Sequence, residues 1–95
     1  MATIAVMGTG AWGTTLARLI ALEQVRIARG EGITEAAVPG VVLWEHRPER
    51  AHELQWKREN RDYLPGFPLP ANLRVTADLG DAVRGHSLIL LVTPS

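Results

Sequence analysis

Met7-Gly8-Thr9-Gly10-Ala11-Trp12-Gly13 is the stretch around which this chain is arranged. It reads G-x-G-x-x-G. It follows the apolar run Ile4-Ala5-Val6-Met7 and opens a helical pattern at Leu16, Leu19 and Ile20. Strand, glycine turn and helix in that order are the context in which the motif binds a dinucleotide. Gly8 lets the chain leave the strand sharply, Gly10 leaves room for a pyrophosphate against the backbone, and Gly13 lets the helix pack close to the strand. Amides at the helix start then face the phosphates, favoured by the helix dipole. The competing reading is a glycine-rich turn with no ligand, against which the flanking strand and helix speak. Thr14 and Thr15 fall in the first helical turn. Each hydroxyl there either reaches a phosphate oxygen or bonds to solvent or the local backbone.

Along the helix, Ala17 and Ala21 supply small packing positions beside Leu16, Leu19 and Ile20. In an ordinary unit of this kind the second strand ends about 20 residues after the glycines. Here the next good strand, Val41-Val42-Leu43-Trp44, comes much later. The surplus, residues 23–38, reads as an insertion that makes a surface excursion. Val25 and Ala28 keep helical spacing, so the first helix runs to about Arg29 before Gly30 and Gly32 break it. Thr34 then caps a short turn through Glu35, Ala36 and Ala37. A strand at Val25-Arg26-Ile27 is the poorer alternative.

Pro48 suits the first turn of a second helix, with Glu49 complementing the dipole and Ala51, Leu54, Gln55 and Arg58 continuing it. Trp56 is expected to pack that helix on the sheet. Residues 60–70, with Pro65, Gly66, Pro68 and Pro70, read as a loop. Leu73-Arg74-Val75 is a short third strand. Asp78 or Thr76 caps a helix through Val83, which Gly85 ends. Leu88 to Val92 is fully apolar and therefore expected to be a central fourth strand. The alternation predicts an α/β fold, a parallel sheet with right-handed crossovers and strand order 3-2-1-4. The ligand crevice then lies at the carboxyl ends of strands one and four. Residues 1–95 are expected to form one incomplete domain, truncated after the fourth strand.

Composition narrows the function. A chain of 95 residues makes at most one small domain, and 46% apolar content suits a globular one. Lys plus Arg and Asp plus Glu number 10 each, a balance that argues against a nucleic-acid partner. Without cysteine there is no disulfide, thiolate metal site or cysteine nucleophile. No metal is expected, since His52 and His86 lack ligand-like spacing and read as surface residues. Asp78 and Asp81 are better helix-cap residues than a catalytic pair. The longest apolar run, Leu88 to Val92, is too short to span a bilayer, and no signal peptide is visible, so the cytoplasm is the default location.

Four segments carry a more specific signal: Gly8-Thr9-Gly10-Ala11-Trp12-Gly13-Thr14, Leu43-Trp44-Glu45-His46-Arg47-Pro48, Asn60-Arg61-Asp62-Tyr63-Leu64-Pro65-Gly66 and Val92-Thr93-Pro94-Ser95. Together they closely resemble the N-terminal, Rossmann-type domain of bacterial NAD(P)-dependent glycerol-3-phosphate dehydrogenase. The resemblance covers nearly the whole chain outside the insertion. It implies reversible hydride transfer between NAD(P)H and dihydroxyacetone phosphate in glycerophospholipid synthesis. It implies cofactor contacts at Ala11, Trp12, His46, Arg47 and often Tyr63, beside Gly8, Gly10 and Gly13 of the glycine turn; Glu45 after the second strand, where the family often has a small residue, and Pro94 past the fourth are further candidates. Ala11 stands where the family usually has serine, which removes one side-chain contact to phosphate. The family's general acid is a lysine and its phosphorylated substrate binds a helical C-terminal domain. Lys57, the single lysine here, sits in the second helix, so no residue of this chain receives a catalytic role and the chain alone is expected to be inactive. The resemblance leaves a homodimer open. The rival is a non-catalytic nucleotide-binding or sensor module; a downstream helical domain with a lysine near the nicotinamide would separate the two.

Each candidate also has a plainer reading: Trp12 as core filling rather than a phosphate shield, His46 and Arg47 as surface residues, Tyr63 as an anchor for its loop. The cofactor is NAD or NADP. Glu45, directly after the second strand, suits the ribose hydroxyls of NAD. A carboxylate about 4 Å from a 2′-phosphate is repelled by roughly 1 to 4 kcal/mol. An Arg47–phosphate pair returns a similar amount. Use of both cofactors with a modest preference for NAD is expected, with Glu45→Gly shifting choice toward NADPH and Arg47→Ala toward NADH.

Overall fold

Short, mostly apolar segments build the sheet, and helical spacing fills much of the intervals between them. The computed structural model describes residues 3–34 and 37–92. In chain order it contains β1 (Ile4–Met7), α1 (Ala11–Gly30), β2 (Val41–Trp44), α2 (Pro48–Lys57), β3 (Glu59–Asn60), β4 (Leu64–Pro68), β5 (Leu73–Thr76), α3 (Leu79–Val83) and β6 (Leu88–Leu91). The four-stranded sheet is ordered β5-β2-β1-β6, and all its pairings are parallel. Counted over those four strands, this is the order 3-2-1-4.

β1 lies between β2 and β6, with Ile4 opposite both Val41 and Leu88. Its residues are nearly all apolar because both faces are covered. On one face Val6, Leu43 and Leu73 pack with Ala17 and Ala21 of α1 and Leu54 of α2. On the other, Ala82 of α3 covers Met7 and Val42. The carboxyl ends of β1 and β2 therefore open beside the glycine turn, held together by the Gly8 amide bonding the Trp44 carbonyl at 3.2 Å.

Several expectations change. Residues 60–70 are not simply loop: β3 and β4 pair as an antiparallel ribbon. Pro65 and Pro68 are tolerated there because a two-stranded ribbon has an outer edge that needs no donor. Trp56 does not pack on the sheet and is 79% exposed. It stands two residues from the buried Leu54, about 200° round the helix, on the opposite face. Among the described residues β6 is an edge strand, and Leu91 is 79% exposed. Apolar character reports which surface suits burial; it does not say which neighbour supplies the cover.

Helix α1 includes Val25-Arg26-Ile27, so the strand alternative there fails. The helix runs on through Gly30, as the spacing of Val25 and Ala28 indicates, and Gln24 and Ala28 are buried, so this early part of 23–38 is packed rather than a surface excursion. Thr34 accepts a bond from the Ala37 amide at 3.0 Å, while Glu35 and Ala36 lie outside the described residues. Asp78, not Thr76, caps α3, accepting from the Asp81 amide at 3.0 Å. His52 is exposed and His86 half-buried. Among the described residues no helix is long and apolar enough to cross a membrane, and no group of side chains is arranged to hold a metal.

Candidate functional site

The glycine turn divides its work among three positions. Gly8 leaves β1 with φ +130°, and a Cβ there would sit 2.8 Å from the Val92 carbonyl oxygen. Gly13 lies flat against that exit: a Cβ on it would come within 1.9 Å of the Gly8 carbonyl oxygen. Gly10 is different, because a Cβ on it meets nothing within 4 Å. Gly10 is also the N-cap of the 20-residue α1, with no side chain capping it and no acidic residue in the first turn. First-turn amides of a helix have no intrahelical acceptor. Here no side chain caps them and the Cβ direction of Gly10 beside them is empty, which is the arrangement that receives an anion.

Behind the turn sits a buried polar network. The Thr14 hydroxyl is fully buried and donates to the Thr9 carbonyl at 3.1 Å. It serves the local backbone, not a phosphate. Thr15 is half-buried. The Asn60 amide donates to the Thr9 carbonyl and to Thr14 Oγ1, both at 2.8 Å. Arg50 donates to Asn60 Oδ1 at 3.0 Å and to Asp62 at 2.6 Å.

Glu45 follows β2 as expected, but its carboxylate is committed. It is 3% exposed. It accepts from the Thr9 hydroxyl, from the Arg47 amide at 3.1 Å and from Arg47 Nε at 2.9 Å. His46 Nδ1 lies 3.2 Å away and Arg50 Nε 3.5 Å. Burial opposes its charge, but bonds from the Arg47 side chain, Thr9 and the Arg47 amide, with the Arg47 charge, outweigh it and hold the carboxyl down to about 2. Glu45 thus latches the turn to the end of β2 and has little left for a ribose. Removing it as Glu45→Gly is now expected to loosen the turn and weaken both cofactors rather than shift the choice toward NADPH.

A depressed carboxyl pKa stabilises the fold above the unfolded value and is lost as pH falls through the folded one. Between the ordinary 4.5 and about 2 the protein should therefore lose stability on acidification. The loss from this group is at most about 3 kcal/mol. Melting followed from pH 5 to pH 2 should show a steeper decline in the parent chain than in Glu45→Gln. Parallel declines would show that Glu45 is not the titrating latch.

The other candidates cluster at the mouth. Ala11 is exposed, and Trp12 is 68% exposed, so Trp12 is not core filling. The side chains of His46 and Arg47 are 69% and 50% exposed at the end of β2, with the His46 ring 6.1 Å from that of Trp44. Tyr63 is half exposed, and Arg50 lies 5.6 Å from its ring centre. Arg50 thereby links Tyr63 to Glu45 and the glycine turn. Pro94 lies outside the described residues. Thr9, Arg50 and Asn60 were not singled out from sequence, since their roles arise from contacts between segments far apart in the chain. The traces were Thr9 inside the glycine motif and Asn60 heading a segment that carried the resemblance.

Comparison with known proteins converges on one group. A family model described as NAD-dependent glycerol-3-phosphate dehydrogenase N-terminus matches residues 3–95. The chain is similar to glycerol-3-phosphate dehydrogenase [NAD(P)+] of Mycobacterium leprae, 47% identical over 92 residues, covering 97% of this chain and 23% of that protein. It is 44% identical to the protein of the same name from Chlorobium phaeobacteroides, with 97% and 23% covered. Among solved structures, glycerol-3-phosphate dehydrogenase from Coxiella burnetii superposes with TM-score 0.74 at 33% identity, over 99% of this chain and 25% of that one. The enzyme from Saccharomyces cerevisiae gives 0.68 at 28% identity, over 97% and 25%. The chain thus spans about a quarter of the length of the relatives it matches.

Proposed function

We propose a function on this footing: the chain belongs to the NAD-dependent glycerol-3-phosphate dehydrogenase N-terminus family. It serves as the dinucleotide-binding domain of an NAD(P)-dependent sn-glycerol-3-phosphate dehydrogenase. The observation that carries the reading is the uncapped start of α1 beside a Gly10 whose Cβ direction is empty. The pyrophosphate would lie against Gly10, Ala11 and Trp12, with Trp12 covering it. The adenosine would lie over His46 and Arg47, with Tyr63 at the margin. Glu45 acts through Arg47 and Thr9.

When bound, the nicotinamide supplies hydride transfer to the keto carbon of dihydroxyacetone phosphate. This chain's residues bind and orient the dinucleotide. No catalytic residue is assigned among them: Lys57 lies on α2, paired with Glu53 at 2.8 Å. The proton donor and the phosphorylated substrate's site belong to the helical domain that the family resemblance implies. A role in glycerophospholipid synthesis rests on that same resemblance, which leaves a homodimer open, and the cytoplasm is the default location.

Arg47 provides the test of the adenosine end. Its guanidinium is half exposed beside Glu45, so it can hold a 2′-phosphate only while sharing its charge. Arg47→Ala should therefore weaken NADPH more than NADH, by about tenfold in the ratio of dissociation constants, or about 1.4 kcal/mol. Parallel titrations with the two reduced cofactors measure the ratio. A change below about twofold, under roughly 0.4 kcal/mol, would remove Arg47 from the adenosine site.

A further inference from the structure

We propose that Asn60 is a positioning residue for the dinucleotide site: it aims the Gly10 N–H outward by holding the Thr9 carbonyl inward. The inference rests on the proposed site but concerns a residue outside it. Asn60 ends β3, 51 positions from Thr9, and is 1% exposed. Its two amide hydrogens are both used, on the Thr9 carbonyl and on Thr14 Oγ1, each at 2.8 Å. Its oxygen accepts from Arg50 Nη2 at 3.0 Å. These partners settle which way the amide faces. Turned over, it would press its oxygen against the Thr9 carbonyl and its donors against the Arg50 guanidinium.

The consequence follows from peptide geometry. In a trans peptide the carbonyl of one residue and the N–H of the next point in opposite directions from one plane. The Thr9 carbonyl takes bonds from Asn60 at 2.8 Å and Thr14 at 3.1 Å, both from behind the turn. The Gly10 N–H in the same plane must therefore face away from Asn60 and Thr14, and the Cβ direction of Gly10 beside it is empty to 4 Å. The glycines permit this orientation, and Asn60 selects it. Arg50 extends the hold: it bonds Asn60 and Asp62, and lies over the Tyr63 ring. One polar spine, buried at Thr9, Thr14 and Asn60, thus joins the ribbon, the Tyr63 loop and the glycine turn.

The test separates hydrogen bonding from packing. The full chain and three variants, Asn60→Asp, Thr14→Val and Thr14→Ser, are titrated with NADH and followed by amide NMR. Asn60→Asp keeps the shape but removes both donors, and should weaken NADH by about tenfold or more. Thr14→Val keeps the volume and loses the hydroxyl, and should weaken NADH by about threefold, whereas Thr14→Ser should stay within about twofold. The Gly10 amide resonance should move in Asn60→Asp and Thr14→Val while those of Ala51 and Leu54 on α2 stay in place. The opposite Thr14 ranking, serine weakened and valine not, would make this a packing site and overturn the proposal. So would a folded Asn60→Asp with unchanged affinity and an unmoved Gly10 resonance. If the parent chain fails to bind NADH, the proposed function falls, but the Gly10 resonance still reads Asn60's hold on the turn. If Asn60→Asp does not fold, the Thr14 pair still decides.

Discussion

Gly13→Ala should lower the thermal midpoint by roughly 8 to 16 °C or more, or prevent folding altogether. The added methyl carbon would lie 1.9 Å from the Gly8 carbonyl oxygen and 2.8 Å from its carbon. Both are backbone atoms that have nowhere to go. The Gly8 amide is bonded to Trp44, and the Val92 carbonyl closes the space behind. Helix α1 cannot retreat either, because Ala17 and Ala21 are 0% exposed against the sheet. Overpacking of this kind costs about 3 kcal/mol at least, at the upper end of its usual range. Alanine's better helix propensity returns only about 1 kcal/mol. A small domain has roughly 5 to 15 kcal/mol in all. A melt monitored by circular dichroism measures the change. A shift below about 4 °C would mean that α1 does not seat on the Gly8 carbonyl as described.

The sheet was readable because its cause is local. Ile4–Met7 and Val41–Trp44 are short apolar runs and Leu73–Thr76 alternates apolar with polar residues, and short strands joined by helices leave few parallel arrangements. The roles of Gly8, Gly10 and Gly13 were readable for the same reason, since all three act within one turn. Trp56 and Glu45 were misread because their partners come from elsewhere. Helix phase places Trp56 outward, and that phase is fixed only when Leu54 finds the sheet. Glu45 looks like a free ribose acceptor until Thr9 and Arg47 close on it. Asn60 gave still less sign: a polar residue near prolines reads as loop, and only folding carries it beneath the glycine turn. The proline-bearing ribbon was hidden because proline argues against a strand everywhere except at an edge.

Gly10→Val separates folding from binding. The Cβ direction of Gly10 is empty to 4 Å and its φ of −66° is open to any residue. The exchange at an N-cap position should cost no more than about 1 kcal/mol. The two added methyl groups would instead fill the space that the pyrophosphate needs beside the first-turn amides. Loss of those contacts should weaken NADH by about a hundredfold or more, close to 2.7 kcal/mol. Gly13→Ala damages the fold from a position three residues along, so the contrast between the two glycines isolates the ligand's share. The measurement is a calorimetric titration of NADH into the parent chain and Gly10→Val, with a melt of each. A binding parent, together with a variant that melts within about 8 °C of it and has lost at least about a hundredfold in affinity, is the outcome this account predicts. A folded Gly10→Val that binds NADH as tightly as the parent would contradict it.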